Sequence, residues 1–554
     1  MTDPTQRLAE LGDRYLHLSM TAHPFTASLL GLPGYDDLVP DPRPEATQDL
    51  VRDLRSVAVQ ARALSDLSAP DSVTRAVLVR TAADDADRAE LREVEFQTAP
   101  FWSSVHSQLL SILPKVRLTD SARAEAYLAR LRKVPGYLDA AGEQLRTGTA
   151  RGRTAAARSL ARSIAALDAH LSGAVADDVL LAPDWEDEAW RRAREAVVRD
   201  LVRPALGRLR DLYRDELAPA ARPDDQVGVS WLPDGSALYG VLARAHTTTA
   251  LTPPELHELG LAELARLDEE YAALGQVLFG TSDVDSVLAR MRNDPGLRLR
   301  NADELLTRSR TALERAHKSL PNWFGLLPPS GCDLQLVPEQ EAVNSAPAYY
   351  SPPDDATGRL GTYWVNAHEV EKRPTYDVEA IAFHEALPGH HLQLSIAQQL
   401  NDLPLFRRVN ISSGYTEGWG LYSERLADEM GLYSSDLDRL GMLSCDSWRA
   451  CRLVIDSGIH ALGWSFQQSV DFMQRRTALP LSVIEPEIDR YVGMPGQALS
   501  YMVGRLEIVR MRKQAERVLG ERFDLRDFHD EVLRGGSLPL SVLESQLDAW
   551  TAAH

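Results

Sequence analysis

Cysteine is scarce in this chain of 554 residues: Cys332, Cys445 and Cys451 are an odd number with no C-x-x-C pair. That offers no thiolate knuckle and fits a reducing compartment with small buried thiols better than a disulfide framework. No apolar run is long enough to span a bilayer. The opening stretch, Met1–Leu18, lacks a basic region followed by an apolar one, so the reading predicts no secretory signal and a cytoplasmic location. Positive charge is outweighed: 60 Lys and Arg against 80 Asp and Glu give a formal net charge of −20. Such a surface repels phosphate backbones and anionic lipid, which argues against nucleic acid and membranes as partners. Low-complexity blocks and internal repeats are absent as well.

What is present reads as a large, mainly helical fold. The length allows a core that needs no covalent staples. Glu45–Leu64, Ser121–Leu145 and Asp187–Asp215 carry apolar residues at helical spacing and are rich in Ala, Leu and Arg. They predict an N-terminal helical lobe over residues 1–225 that shapes a cleft and holds no titratable cluster of its own. A stretch rich in Pro, Asp and Gly over Ala221–Gly240 reads as a loop. Helix resumes after Thr252, a candidate N-cap, with Pro253 and Glu255 in the first turn. Residues 226–554 form the expected catalytic lobe. Its one departure from helix lies between Gly331 and Asn366. Asp333–Val337 alternates and Gly361–Asn366 is aromatic and β-branched, which predicts a small sheet or hairpin, with Ala346–Pro353 in the long connection. An exposed strand edge there suits an extended substrate backbone, and Tyr349, Tyr350 and Trp364 are candidate pocket aromatics.

Candidate chemistry centres on Thr375–Leu400. Thr375 can cap a helix that runs apolar to His384-Glu385 and is then broken by Pro388-Gly389. The usual zinc helix places two His one turn apart, but the residue four after His384 is Pro388. His390 is six residues on, about 600° and roughly 9 Å along a regular helix, too far to share an ion. A Pro-Gly kink can fold the chain back so that His390 or His391 meets His384. The third ligand of an open tetrahedral site is best supplied by Glu417, with Glu424 seven residues on, on the same face, placed to orient a ligand His. Glu385 adjoins a ligand and can serve as general base. Two other His-Glu pairs, His257-Glu258 and His368-Glu369, have no second His at a workable distance and read as surface residues.

Two later helices add candidates. Arg452, Asp456 and His460 fall four apart on one face: Asp456 can pair with Arg452 and orient His460, and Arg452 or His460 can reach substrate or an oxyanion. Gln497, Tyr501 and Arg505 share another face, with Tyr501 the candidate oxyanion donor and Arg505 a candidate clamp for a substrate carboxylate.

Four ordered motifs, HEALPGHHLQ, YTEGWGLYSE, RLVIDSGIHALGW and MPGQALSY, with APAYYSPP and GTYWVN upstream, resemble a bacterial family catalogued as a domain of unknown function, DUF885. They cover roughly the C-terminal half. The resemblance implies an elongated, two-lobed helical fold like the thermostable zinc carboxypeptidases and thimet-type peptidases, with the small sheet beside the cleft. It also implies ligand roles for His384, His390 and Glu417, and a base role for Glu385. The expected protein is therefore a metallopeptidase-like hydrolase with one zinc per chain, acting on a peptide. A zinc amidase or esterase acting on a small metabolite, and a binding protein on the same scaffold, are the alternatives.

Overall fold

Helices dominate the computed structural model, which describes residues 3–101, 103–342, 345–353 and 358–554, and a single small sheet interrupts them. The mainly helical expectation holds. The chain gathers into two compact units. One comprises Met1–Ala245, Gly458–Ser469 and Glu485–Pro495; the other comprises His246–Ser457, Val470–Ile484 and Gly496–His554. The sequence division at 225 differs from this, because residues up to Ala245 and two C-terminal segments group with the first unit. Composition marks the loop but not which unit a returning segment packs in.

The first unit is built from long helices, among them α1 (Pro44–Arg62), α2 (Ala69–Glu90) and α3 (Ser121–Ala150). Asp120 caps α3 by accepting from the Arg123 N–H at 2.8 Å. Along α3, Leu128, Leu131, Leu138 and Leu145 recur at helical spacing and are buried in one core with Leu206, Leu209 and Tyr213. The stretch read as one helix over Asp187–Asp215 is α-helical over Glu188–Val197 and Arg203–Asp211, with π-helical turns at Val198–Val202 and Leu212–Leu217.

In the second unit, α4 (Pro253–Phe279) starts at the expected place. The Thr252 N–H and hydroxyl donate to the Glu255 carboxylate at 2.8 and 2.7 Å. After α5 (Ala302–Ser319) come β1 (Cys332–Leu336), β2 (Ala348–Ser351) and β3 (Gly361–Val365), in the order β1-β3-β2. The buried strand β3 is central: it runs parallel to β1, with Cys332 opposite Gly361, and antiparallel to β2, with Tyr349 opposite Trp364. The connection expected at Ala346–Pro353 thus contains a strand. Pro347 before it and Pro352-Pro353 after it restrict the Tyr-Tyr segment to a short edge strand, where proline outside the ladder is tolerated.

The remaining elements used below are α6 (Val378–Glu385), α7 (His390–Gln398), α8 (Ser413–Glu429), α9 (Asp436–His460) and α10 (Ser500–Leu519). The backbones of α8 and α10 touch. A Cβ on Gly418 would lie 2.4 Å from the Gly504 Cα, and one on Gly504 would lie 1.9 Å from the Gly414 carbonyl oxygen. Only glycines permit that approach.

Candidate metal centre

Everything in this site lies in the second unit, and its geometry begins with the broken helix. Thr375 does not cap α6 as expected. Its N–H and hydroxyl donate instead to the Leu297 carbonyl at 2.8 and 3.3 Å, and α6 begins at Val378. Glu379 anchors that first turn by pairing with Arg315 at 2.6 Å. The helix stops at Glu385, and α7 restarts at His390. A Cβ on Gly389 would lie 1.9 Å from the His384 carbonyl oxygen, so glycine is what lets the chain double back on the end of α6. The Pro388 carbonyl in this turn accepts from the Trp419 indole N–H at 3.0 Å and the Ser423 hydroxyl at 3.2 Å, both from α8. His384 and His390 end edge to face, ring centroids 4.7 Å apart.

Glu417 meets both. Its Oε2 lies 3.7 Å from His384 Nε2 and 3.5 Å from His390 Nε2. One donor atom from each of the three residues lies within 4.8 Å of the other two. Hydrogen bonds from nitrogen to oxygen are shorter, about 2.7–3.2 Å. Two ligands of a tetrahedral ion with bonds of about 2.1 Å stand about 3.4 Å apart. These two separations are longer than a direct hydrogen bond, and the three side chains form a group that could hold a metal ion. Electrostatics agree. Burial disfavours a charged His384, yet Glu417 and Glu424 outweigh it and raise its pKa to about 9. Burial likewise opposes ionisation of Glu417, but His384 and His390 hold it well below the usual carboxylate range. The pull that keeps a proton on His384 is the pull a cation would satisfy.

The other face of His384 is also fixed. Its Nδ1 lies 2.8 Å from Oε1 of the wholly buried Glu424. The imidazole lies against Gly420, where a Cβ would stand 2.7 Å from Cε1 and 2.8 Å from Nε2. Residues 417, 420 and 424 recur at helical spacing, so one face of α8 supplies a candidate ligand, the surface under the ring and the partner for its far nitrogen. Glu385 is partly exposed, and desolvation raises its carboxyl pKa, which suits a proton acceptor. On α10, the Tyr501 ring stands near-parallel to His384 with ring centroids 6.5 Å apart, and the Arg452 guanidinium carbon is 4.3 Å from the Tyr501 ring centre.

The remaining expected residues divide. His391 faces away from the trio. Its Nδ1 takes the Tyr350 hydroxyl at 2.9 Å, its Nε2 donates to the Ser330 carbonyl at 3.1 Å, and burial lowers its pKa to about 4. Of the two His considered for the second ligand position, it is His390 that stands beside His384 and Glu417. Tyr350 thereby ties β2 to α7, and Tyr349 stacks on Trp364 at 6.1 Å. Asp456 accepts from the Gly496 N–H at 3.0 Å, at the turn that leads to Gln497 and α10.

Three further expectations are corrected. Arg505 is buried in an ion-pair network, with Asp446 at 3.2 Å and Glu263 at 2.8 Å, so its fork is not open to a substrate carboxylate. His460 belongs to the first unit and is buried there. Its Nδ1 accepts from the Val229 N–H at 3.1 Å and its Nε2 donates to the Tyr491 carbonyl at 3.0 Å, so neither nitrogen reaches a substrate and Asp456 does not orient it. His257 is also buried, 2.9 Å from the Ser457 hydroxyl, whereas His368 is exposed as expected. Sequence reasoning missed Arg449, whose Nη2 lies 3.6 Å from Glu424 Oε1. Its position in α9 shows no spacing relation to the metal motif.

The pattern of a bacterial protein family of unknown function, DUF885, matches residues 24–547. No curated relative matches the sequence significantly. A crystal structure of a "putative lipoprotein" from Colwellia psychrerythraea superimposes with a TM-score of 0.91 at 24% identity, covering 100% of both chains. A second such lipoprotein, of unknown function, from Shewanella oneidensis gives 0.78 at 17% identity, over 97% of this chain and 99% of its own. Those identities speak for the fold alone. Among the described residues no helix is long and apolar enough to cross a membrane. The expected cytoplasmic location finds no support in these neighbours.

Proposed function

The chain belongs to the DUF885 family, and from the site in its second unit we propose a zinc-dependent hydrolase that cleaves peptide bonds. One observation carries this reading: His384, His390 and Glu417 converge at coordination spacing beside Glu385, a carboxyl that is not among the three. His384, His390 and Glu417 would hold the ion, one per chain. Three protein ligands leave the open position that a catalytic site needs and a structural site does not. Zinc held there supplies Lewis acidity to a carbonyl and to water.

The protein residues then divide the work. Glu385 takes the proton of the attacking water and returns it to the leaving amine, a task its raised pKa suits. Tyr501, whose ring centre is 6.5 Å from that of His384, donates its hydroxyl proton in a hydrogen bond to the carbonyl oxygen as negative charge develops. Glu424 accepts from His384 Nδ1 and so turns the Nε2 lone pair toward the other two ligands. The peptide assignment rests on β2. It is an edge strand that pairs only with β3 among the described residues, and α6, which carries His384 and Glu385, packs against it. An extended backbone can add to such an edge.

The test is digestion of a mixed peptide library by the zinc-loaded protein, by protein stripped with a chelator, and by stripped protein given zinc back. Cleavage that is lost and then restored is expected. Cleavage indifferent to chelation removes the metal from the reaction. A zinc-loaded protein that cleaves no peptide but hydrolyses simple amides or esters moves the reading to another substrate class.

A further inference from the structure

Glu424 is wholly buried in α8, and its Oε1 faces two groups: His384 Nδ1 at 2.8 Å and Arg449 Nη2 at 3.6 Å. Arg449 is itself buried on α9; its Nη1 donates to the Cys445 carbonyl at 3.3 Å, and Trp448 lies 4.9 Å from its guanidinium carbon. Neither Glu424 Oε2 nor Arg449 Nε has a hydrogen-bond partner among the described residues. No other cationic side chain of the described residues comes within ion-pair distance of Glu424. A guanidinium only donates. The Glu424 oxygen accepts from the imidazole at 2.8 Å, which places the hydrogen of His384 on Nδ1 and its lone pair on Nε2, the atom that faces Glu417, while the Arg449 guanidinium stands at ion-pair distance from that same oxygen.

We propose that Arg449 is a positioning residue of the metal centre, which sets the orientation and tautomer of His384 through Glu424. This rests on the proposed metal site. Arg449 touches no substrate; it acts two side chains away from the ion.

Chelator-competition measurement of zinc affinity on the full-length protein tests it, for wild type, Arg449→Met, Arg449→Lys, Glu424→Gln and the double variant Arg449→Met/Glu424→Gln. Outer residues that orient metal-ligating His typically contribute about tenfold to hundredfold in affinity. Arg449→Met and Glu424→Gln are each expected to lose that much, the double variant little more than either alone, and Arg449→Lys to recover most of it. Additive losses, or an Arg449→Met variant that binds zinc as wild type does, overturn the proposal and leave the metal site standing. A wild type that binds no zinc overturns both. Should Arg449→Met fail to fold, nitrogen-15 spectra of the zinc-loaded wild type decide: a protonated Nδ1 and a ligated Nε2 on His384 are expected, and the reverse tautomer refutes the relay.

Discussion

Gly420→Ala separates two reasons for a glycine inside a helix. On helix propensity alone alanine should stabilise α8 by about 0.5–1 kcal/mol. The site demands the opposite outcome. The new Cβ would stand 2.7 Å from Cε1 and 2.8 Å from Nε2 of His384. Comfortable contact needs about 3.5 Å, so the ring must retreat by roughly 0.7 Å. Metal–ligand distances tolerate about 0.2 Å. The ring cannot swing aside freely, because Nδ1 is held 2.8 Å from Glu424. Gly420→Ala should therefore keep its helix content yet lose zinc affinity by about a hundredfold, the upper end of what a mispositioned ligand costs, with hydrolysis falling in step. Chelator competition and circular dichroism measure the two parts. Gly136→Ala in α3 is the control: a Cβ there meets nothing within 4 Å, so it should gain the propensity term and leave zinc untouched. Wild-type zinc affinity in Gly420→Ala would falsify the placement of His384 over α8, and with it the ligand geometry.

Three further outcomes follow from the same site. Glu385→Gln should retain zinc and lose turnover by about a hundredfold to ten-thousandfold, read as kcat on a cleaved peptide alongside metal content; near-normal turnover removes Glu385 from the chemistry. Tyr501→Phe should lower kcat by about a hundredfold with little change in KM, zinc or melting temperature, as loss of one oxyanion donor does, and a change confined to KM argues for a binding role instead. Thermal unfolding and kinetics of His460→Ala and Arg505→Ala should show stability losses, about 1–3 kcal/mol for the buried hydrogen bonds of His460 and about 3–5 kcal/mol for the ion pairs of Arg505, while KM of the folded enzyme stays the same; a raised KM in Arg505→Ala would restore a carboxylate clamp.

Much of the candidate site's geometry was legible because its logic is local. A helix breaker between two His explains an unusual spacing, and Glu417 and Glu424 announce a shared helix face by lying seven apart. Gly420 lies on that same face, three residues after Glu417, and a helical projection would have found it. The failures came where tertiary packing decides. Arg452, Asp456 and His460 look equivalent along α9, yet His460 packs in the first unit and spends both nitrogens there. Arg505 follows Tyr501 on the same face, but Asp446 and Glu263, distant in sequence, claim it. Arg449 sits three residues before Arg452, and nothing in sequence says which of two arginines meets Glu424. The strand in Ala348–Ser351 was hidden by prolines that bound it without entering it.

Zinc stoichiometry in single-ligand variants tests the central claim most directly. Mass-spectrometric metal analysis of the purified wild type should give about one zinc per chain, the value for a mononuclear site. His384→Ala, His390→Ala and Glu417→Ala should each lose nearly all of it, whereas His391→Ala, whose ring is tied to Tyr350 and Ser330, should keep it. Full zinc in the first three variants, or loss confined to His391→Ala, would contradict the account.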